Sequence, residues 1–135
     1  MKKYIFALLL LVSFGVFAQS TTQSVLQKYM KSYQPLKISD KGGIITLTMK
    51  SNQVTTDIYH SVVKNAICGP LWLDDKNTSY LKEIKEVRVL NKHSYIGFAF
   101  ENPRSSCEEL GKAMDDMVGI VIASHTHIFT SHMNR

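Results

Sequence analysis

Residues 83–101, EIKEVRVLNKHSYIGFAFE, decide the fold. In the first half, Ile84, Val87 and Val89 stand among Glu83, Lys85, Glu86 and Arg88. In the second, Tyr95-Ile96-Gly97-Phe98-Ala99-Phe100 is apolar at both parities. The intervening Asn91-Lys92-His93-Ser94 has the length of a hairpin loop, so the spacing predicts two antiparallel strands, 83–90 and 95–101. A strand that is apolar on both faces belongs in the middle of a sheet, and one carrying four charges suits an edge.

Working outward, Ile44-Ile45-Thr46-Leu47-Thr48-Met49 is β-branched and alternating, hence a strand, and Lys41-Gly42-Gly43 before it is a turn. Between this strand and the hairpin, Ile58, Tyr59, Val62, Val63, Ala66 and Ile67 recur at helical spacing. A helix over 53–67 is expected, capped by Ser51 or Asn52 and stopped at Gly69-Pro70. Residues 71–80 then read as a loop anchored by Trp72, with a solvated turn at Asp74-Asp75-Lys76-Asn77. Val25, Leu26, Tyr29, Met30 and Tyr33 predict an earlier helix over 22–33, ended by Pro35. After Asn102-Pro103, a third helix is expected, with Ser105/Glu108 and Ser106/Glu109 as overlapping capping boxes. Residues 118–129 are rich enough in β-branched side chains to form a strand; helix to about residue 124 is the reading adopted.

The order α-β-α-β-β-α gives an α+β domain. A right-handed crossover makes the first two strands parallel, and the hairpin makes the last two antiparallel. The expected sheet is therefore three-stranded and mostly antiparallel, in order 1-3-2, with the helices on one face.

Residues 1–18 read as a secretory signal peptide. Lys2 and Lys3 precede the unbroken apolar run Ile5–Val12, and Val16-Phe17-Ala18 suits peptidase cleavage before Gln19. The run is too short to span a membrane. Residues 19–135 then form one exported domain, periplasmic or secreted, with no stable membrane insertion expected after cleavage. The whole chain has 16 basic and 11 acidic residues; loss of Lys2 and Lys3 leaves 14 against 11. That is not the charge of a nucleic-acid binder. In an oxidising compartment, Cys68 and Cys107, the chain's two cysteines, read as one disulfide. Redox activity is not expected, because Leu71 stands where a second active-site cysteine would be needed.

Few residues are arranged for chemistry. Ser61-Val62-Val63-Lys64 has the Ser-x-x-Lys spacing of a nucleophile activated one helical turn away, but no companion Ser-x-Asn or Lys-Thr-Gly element accompanies it. A polar helix face is the expected role. His125 and His127 share a side only if their segment is extended, and no acidic residue stands near them in sequence to orient the imidazoles; no metal site is expected. His60 and His93 are isolated. The acidic pairs Asp74-Asp75, Glu108-Glu109 and Asp115-Asp116 suit caps and turns, since adjacent side chains diverge. No cofactor-binding fingerprint is present.

The aromatic residues Tyr33, Tyr80, Tyr95 and Trp72 exceed what a small core holds, and tyrosine and tryptophan favour interfaces. The expected function is binding of another protein in the cell envelope, as by an inhibitor or an immunity protein against an envelope-targeting toxin. The expected contact residues are Trp72 as anchor, with Tyr80, Tyr95 and His93 beside it. The alternative is a minimal envelope hydrolase acting on cell-wall or polymer substrate, with Ser61, Lys64 and His93 brought together by the fold.

Overall fold

Five strands form one mixed sheet in the computed structural model, which describes residues 21–74 and 79–132. The leader assigned to residues 1–18 and the turn at residues 75–77 lie outside the described residues. The strands are β1 (Lys37–Lys41), β2 (Ile44–Thr48), β3 (Glu86–Leu90), β4 (Ile96–Glu101) and β5 (Thr126–Thr130), and they are adjacent in chain order. β2 and β3 are parallel; the other neighbours are antiparallel.

This overturns the three-stranded 1-3-2 sheet expected from sequence. β2 pairs directly with β3, which is the central strand. The charges of β3 do not mark an edge, because they alternate. Glu86 and Arg88 share one face and bond each other, while Val87 and Val89 are fully buried on the other. Nor is β4 apolar in the same way on both faces. Phe98 and Phe100 face the helices, and the small Gly97 and Ala99 face away. A Cβ added at Gly97 would overlap Val89 O, so only glycine fits this crossing point.

Two strands escaped the sequence reading. β1 joins β2 through Gly42-Gly43, whose φ angles of +60° and +85° form a tight hairpin turn. β5 begins one residue beyond the helix that precedes it.

Helix α1 (Thr21–Tyr29) is followed by a 3-10 turn, Lys31–Tyr33. Helix α2 covers residues 56–73 and is capped by Thr55, whose Oγ1 accepts from the Ile58 N–H at 3.1 Å. It does not stop at Gly69-Pro70. Its middle section, Val62–Cys68, widens into a π-helix, and a last section, Gly69–Leu73, continues the rod. Pro70 sits in the first turn of that section, where a missing N–H costs least. Trp72 is therefore helical. The third helix is broken: α3 (Pro103–Gly111) and α4 (Val118–Ser124) are separated by the 3-10 turn Asp115–Met117. The capping boxes do not form. Ser106 Oγ donates to Glu101 O at 2.6 Å, Glu108 pairs with Arg104, and Glu109 pairs with His125.

All four helices contribute to one core on one face of the sheet. Leu26 of α1 and Met30 just beyond it, Val62, Val63 and Ile67 of α2, Leu110 of α3 and Ile122 of α4 meet Ile45, Leu47, Val87, Val89 and Phe100. The Cys68–Cys107 disulfide joins α2 to α3, with both residues buried inside this core. Leu90, Ala99 and Phe129 form a second, small apolar cluster on the opposite face. Among the described residues, no helix is long and apolar enough to cross a membrane.

Candidate functional site

The face of the sheet that none of the described helices covers gathers the most chemistry. Strand register aligns Glu86 with Glu101, Arg88 with Ala99 and His127, and Leu90 with Gly97 and Phe129. Side chains one residue apart along a strand point to opposite faces, so these three rows share one side. Two carboxylates thus stand opposite each other across β3 and β4. Directly opposed like charges destabilise a sheet. Here two hydrogen-bonding side chains lie against them. Arg88 pairs with Glu86, and His127 lies between both acids, with Nδ1 2.6 Å from Glu101 Oε2 and Nε2 3.7 Å from Glu86 Oε1.

The guanidinium of Arg88 also lies 4.5 Å from the centre of the Phe129 ring, within cation–π range. Phe129 covers Ala99 and Leu90 and is 7% exposed. One aromatic ring and one arginine therefore close this face where no helix does.

At the rim, the β4–β5 ladder ends with Ser131 N–H donating to Tyr95 O at 2.9 Å. Tyr95 is 62% exposed, and its ring lies 5.7 Å from that of His93. The loop between β3 and β4 is held rigid beneath them. Asn91 Oδ1 accepts from Tyr95 N–H at 2.9 Å, Asn91 N–H bonds Ile96 O, and Thr48 Oγ1 bonds Ser94 Oγ at 3.1 Å.

The residues predicted to form one contact surface are divided among three places. His93 and Tyr95 do meet. Trp72 lies on the helical layer, 40% exposed, where its Nε1 donates to Cys107 O at 2.9 Å and its indole lies against Gly111. Tyr80 is 0% exposed: its hydroxyl donates to Ile67 O at 2.5 Å, and burial pushes its pKa well above the ordinary tyrosine value. It is a core residue in this structure. Tyr33 is likewise tied inward, with its hydroxyl 2.5 Å from Ser61 Oγ.

The residues weighed for catalysis stand apart. Ser61 bonds Tyr33 and Asn65, Lys64 lines a groove beside Trp72 and Asp115, and His93 lies against Tyr95. The histidines weighed for metal also separate, His125 toward Glu109 and His127 toward Glu101. Acidic partners do orient both imidazoles, although none is close in sequence. Among the described residues, no group of three or more His, Cys, Asp or Glu side chains is arranged to hold a metal ion.

Sequence reasoning missed Glu86, Arg88, Glu101, His127 and Phe129 as a group. They come from three strands, one of which was not recognised. The available signal was the parity of Glu86 and Arg88 within an otherwise buried strand.

No family model matches the chain, and no curated protein or solved structure matches it either.

Proposed function

We propose that the protein is exported to the cell envelope, where it binds another protein through the rim and open face of its sheet, in the manner of an inhibitor or an immunity protein against an envelope-targeting toxin. The observation that carries the reading is Tyr95, a largely exposed aromatic side chain on a backbone fixed by Asn91 and by the β4–β5 ladder. A rigid tyrosine offers a large amphipathic contact area with little side-chain entropy to lose. His93 beside it and the Arg88–Phe129 pair supply further polar and aromatic surface. The buried disulfide suits an oxidising compartment such as the periplasm. Trp72 serves here to prop the disulfide end of α2 against α3, and the contact residues are Tyr95 and His93.

The test is affinity capture from envelope extract, with the processed protein as bait, followed by mass spectrometry. A protein retained by the wild type should fall at least about tenfold with Tyr95→Ala, which removes an interface anchor. It should be retained by Met114→Ala, another exposed apolar residue, which lies between α3 and α4. A captured set that is the same for all three baits refutes the reading.

A further inference from the structure

The two edges of the sheet are built differently. β1 carries Lys37, Asp40 and Lys41, and charged side chains along an edge oppose the addition of another strand. β5, Thr-His-Ile-Phe-Thr, contains no Lys, Arg, Asp, Glu or Pro, and among the described residues β4 is its one neighbour in the sheet.

The direction of its free backbone groups follows from two hydrogen bonds that bracket it, Glu101 N–H to His125 O at 2.8 Å and Ser131 N–H to Tyr95 O at 2.9 Å. Residues 125, 127, 129 and 131 therefore turn their backbone groups toward β4. In an antiparallel ladder the alternate residues turn theirs away. Thr126, Ile128 and Thr130 thus present N–H and C=O groups to the outside. The side chain of Ile128 is also exposed, beside a notch of about 160 Å³ lined by Gln53, Val54, Ile96, Gly97, Phe98 and Ile128 itself.

We propose that β5 pairs antiparallel with the β5 of a second copy of this chain, about a two-fold axis at Ile128. Three outward residues with Ile128 in the centre are self-complementary. Ile128 faces Ile128 of the partner subunit, and Thr126 faces Thr130 of the partner subunit in both directions. By the same count His127 faces Phe129 of the partner subunit, so no like charges are opposed. A strand from an unrelated protein would match the backbone equally well but has no reason to match this side-chain order. The two five-stranded sheets become one, and the exposed Ile128 and the notch beside it are covered from the partner side.

The experiment is sedimentation equilibrium on the chain expressed with its leader and purified as the cell processes it. The wild type should give twice the mass of one chain at tens of micromolar, a range weak dimers populate. Ile128→Lys places two ammonium groups side by side across the axis and should raise the dissociation constant on the order of a hundredfold. Ile120→Lys, at an equally exposed apolar position on α4, should leave the mass unchanged. Amide exchange read on the same samples should show the Ile128 N–H protected in the wild type and open in Ile128→Lys. A wild type that sediments as one chain overturns the proposal. So does a dimer that survives Ile128→Lys, that is broken by Ile120→Lys, or that leaves the Ile128 amide exchanging freely.

Discussion

Breaking the Cys68–Cys107 bond should remove a large share of the stability. The bond closes a loop across 39 positions and ties α2 to α3. In the chain-entropy treatment, a loop of this size restrains the unfolded chain by about 13 cal/mol/K, or about 4 kcal/mol at 25 °C. A domain spanning residues 19–135 unfolds with an entropy near 0.25 kcal/mol/K, so the melting temperature should fall by roughly 16 °C. Both cysteines are fully buried, which decides the choice of variant. Serine would leave a hydroxyl without a partner and add a cost unrelated to the bond. The double variant Cys68→Ala/Cys107→Ala avoids that. It should be compared by calorimetry with wild-type protein reduced in denaturant and refolded under reducing conditions, which keeps every side chain. Both should melt well below the oxidised wild type. If both melt within about 3 °C of it, the loop does not restrain the unfolded chain and the entropic argument fails.

Gly111→Ala should unseat the single tryptophan. The new Cβ would lie 2.8 Å from Trp72 Nε1, so the indole must move away from Cys107 O. Because Gly111 is exposed and Trp72 is 40% exposed, the cost should be at the low end for overpacking, about 1 kcal/mol, together with a red shift in fluorescence; an unchanged emission maximum would show that the site adapts without moving the ring. Alkaline pH should destabilise the protein through Tyr59 and Tyr80. Burial raises both pKa values above the ordinary one, although the hydrogen bond between Tyr59 and Thr126 opposes the shift there. Unfolded tyrosine loses its proton near pH 10, so the contribution of each is intact below that pH and lost as the pH rises beyond it, at up to about 1.4 kcal/mol per pH unit. Tyr59→Phe should flatten denaturant-measured stability plotted against pH between about 10 and 12, and an unaltered slope would remove Tyr59 from the account.

The elements legible in the sequence were those whose pattern is local. The apolar stripe of α2, the β-branched run of β2 and the hairpin of β3 and β4 stand where their periodicity puts them. The disulfide followed from two cysteines and an inferred compartment. What was hidden depends on pairing between distant segments. β3 looks like an edge because Glu86 and Arg88 carry charge, but they pair with each other, and His127, which lies beside Glu86, comes from β5, 39 residues or more along the chain. β1 has no apolar stripe, and only Gly42-Gly43 announces it; two adjacent glycines before an alternating run are a hairpin turn, and the segment preceding them deserved to be read as its partner strand. β5 shares its β-branched composition with α4, so the helix and strand readings of residues 118–129 were each right for part of the segment. Pro70 misled because a π-helix accommodates it in the first turn of a continuing helix.

The same dependence on distance governed the site. His93 and Tyr95 are two residues apart, and the turn between β3 and β4 brings them together. Trp72 and Tyr80 were grouped with them by residue type alone. Packing separates the three places: the indole is held by the Cys107 carbonyl, and the Tyr80 phenol is sealed under α2.

The sheet is laid down in the order in which the chain is read. No late strand has to be threaded between two earlier ones, and the two long detours between neighbours, through α2 and through α3 and α4, each return to the growing edge. A polypeptide that emerges N-terminus first can therefore extend its sheet from one side as each segment arrives. Covalent locking must wait, because the second sulfur, that of Cys107, follows β4 in the chain.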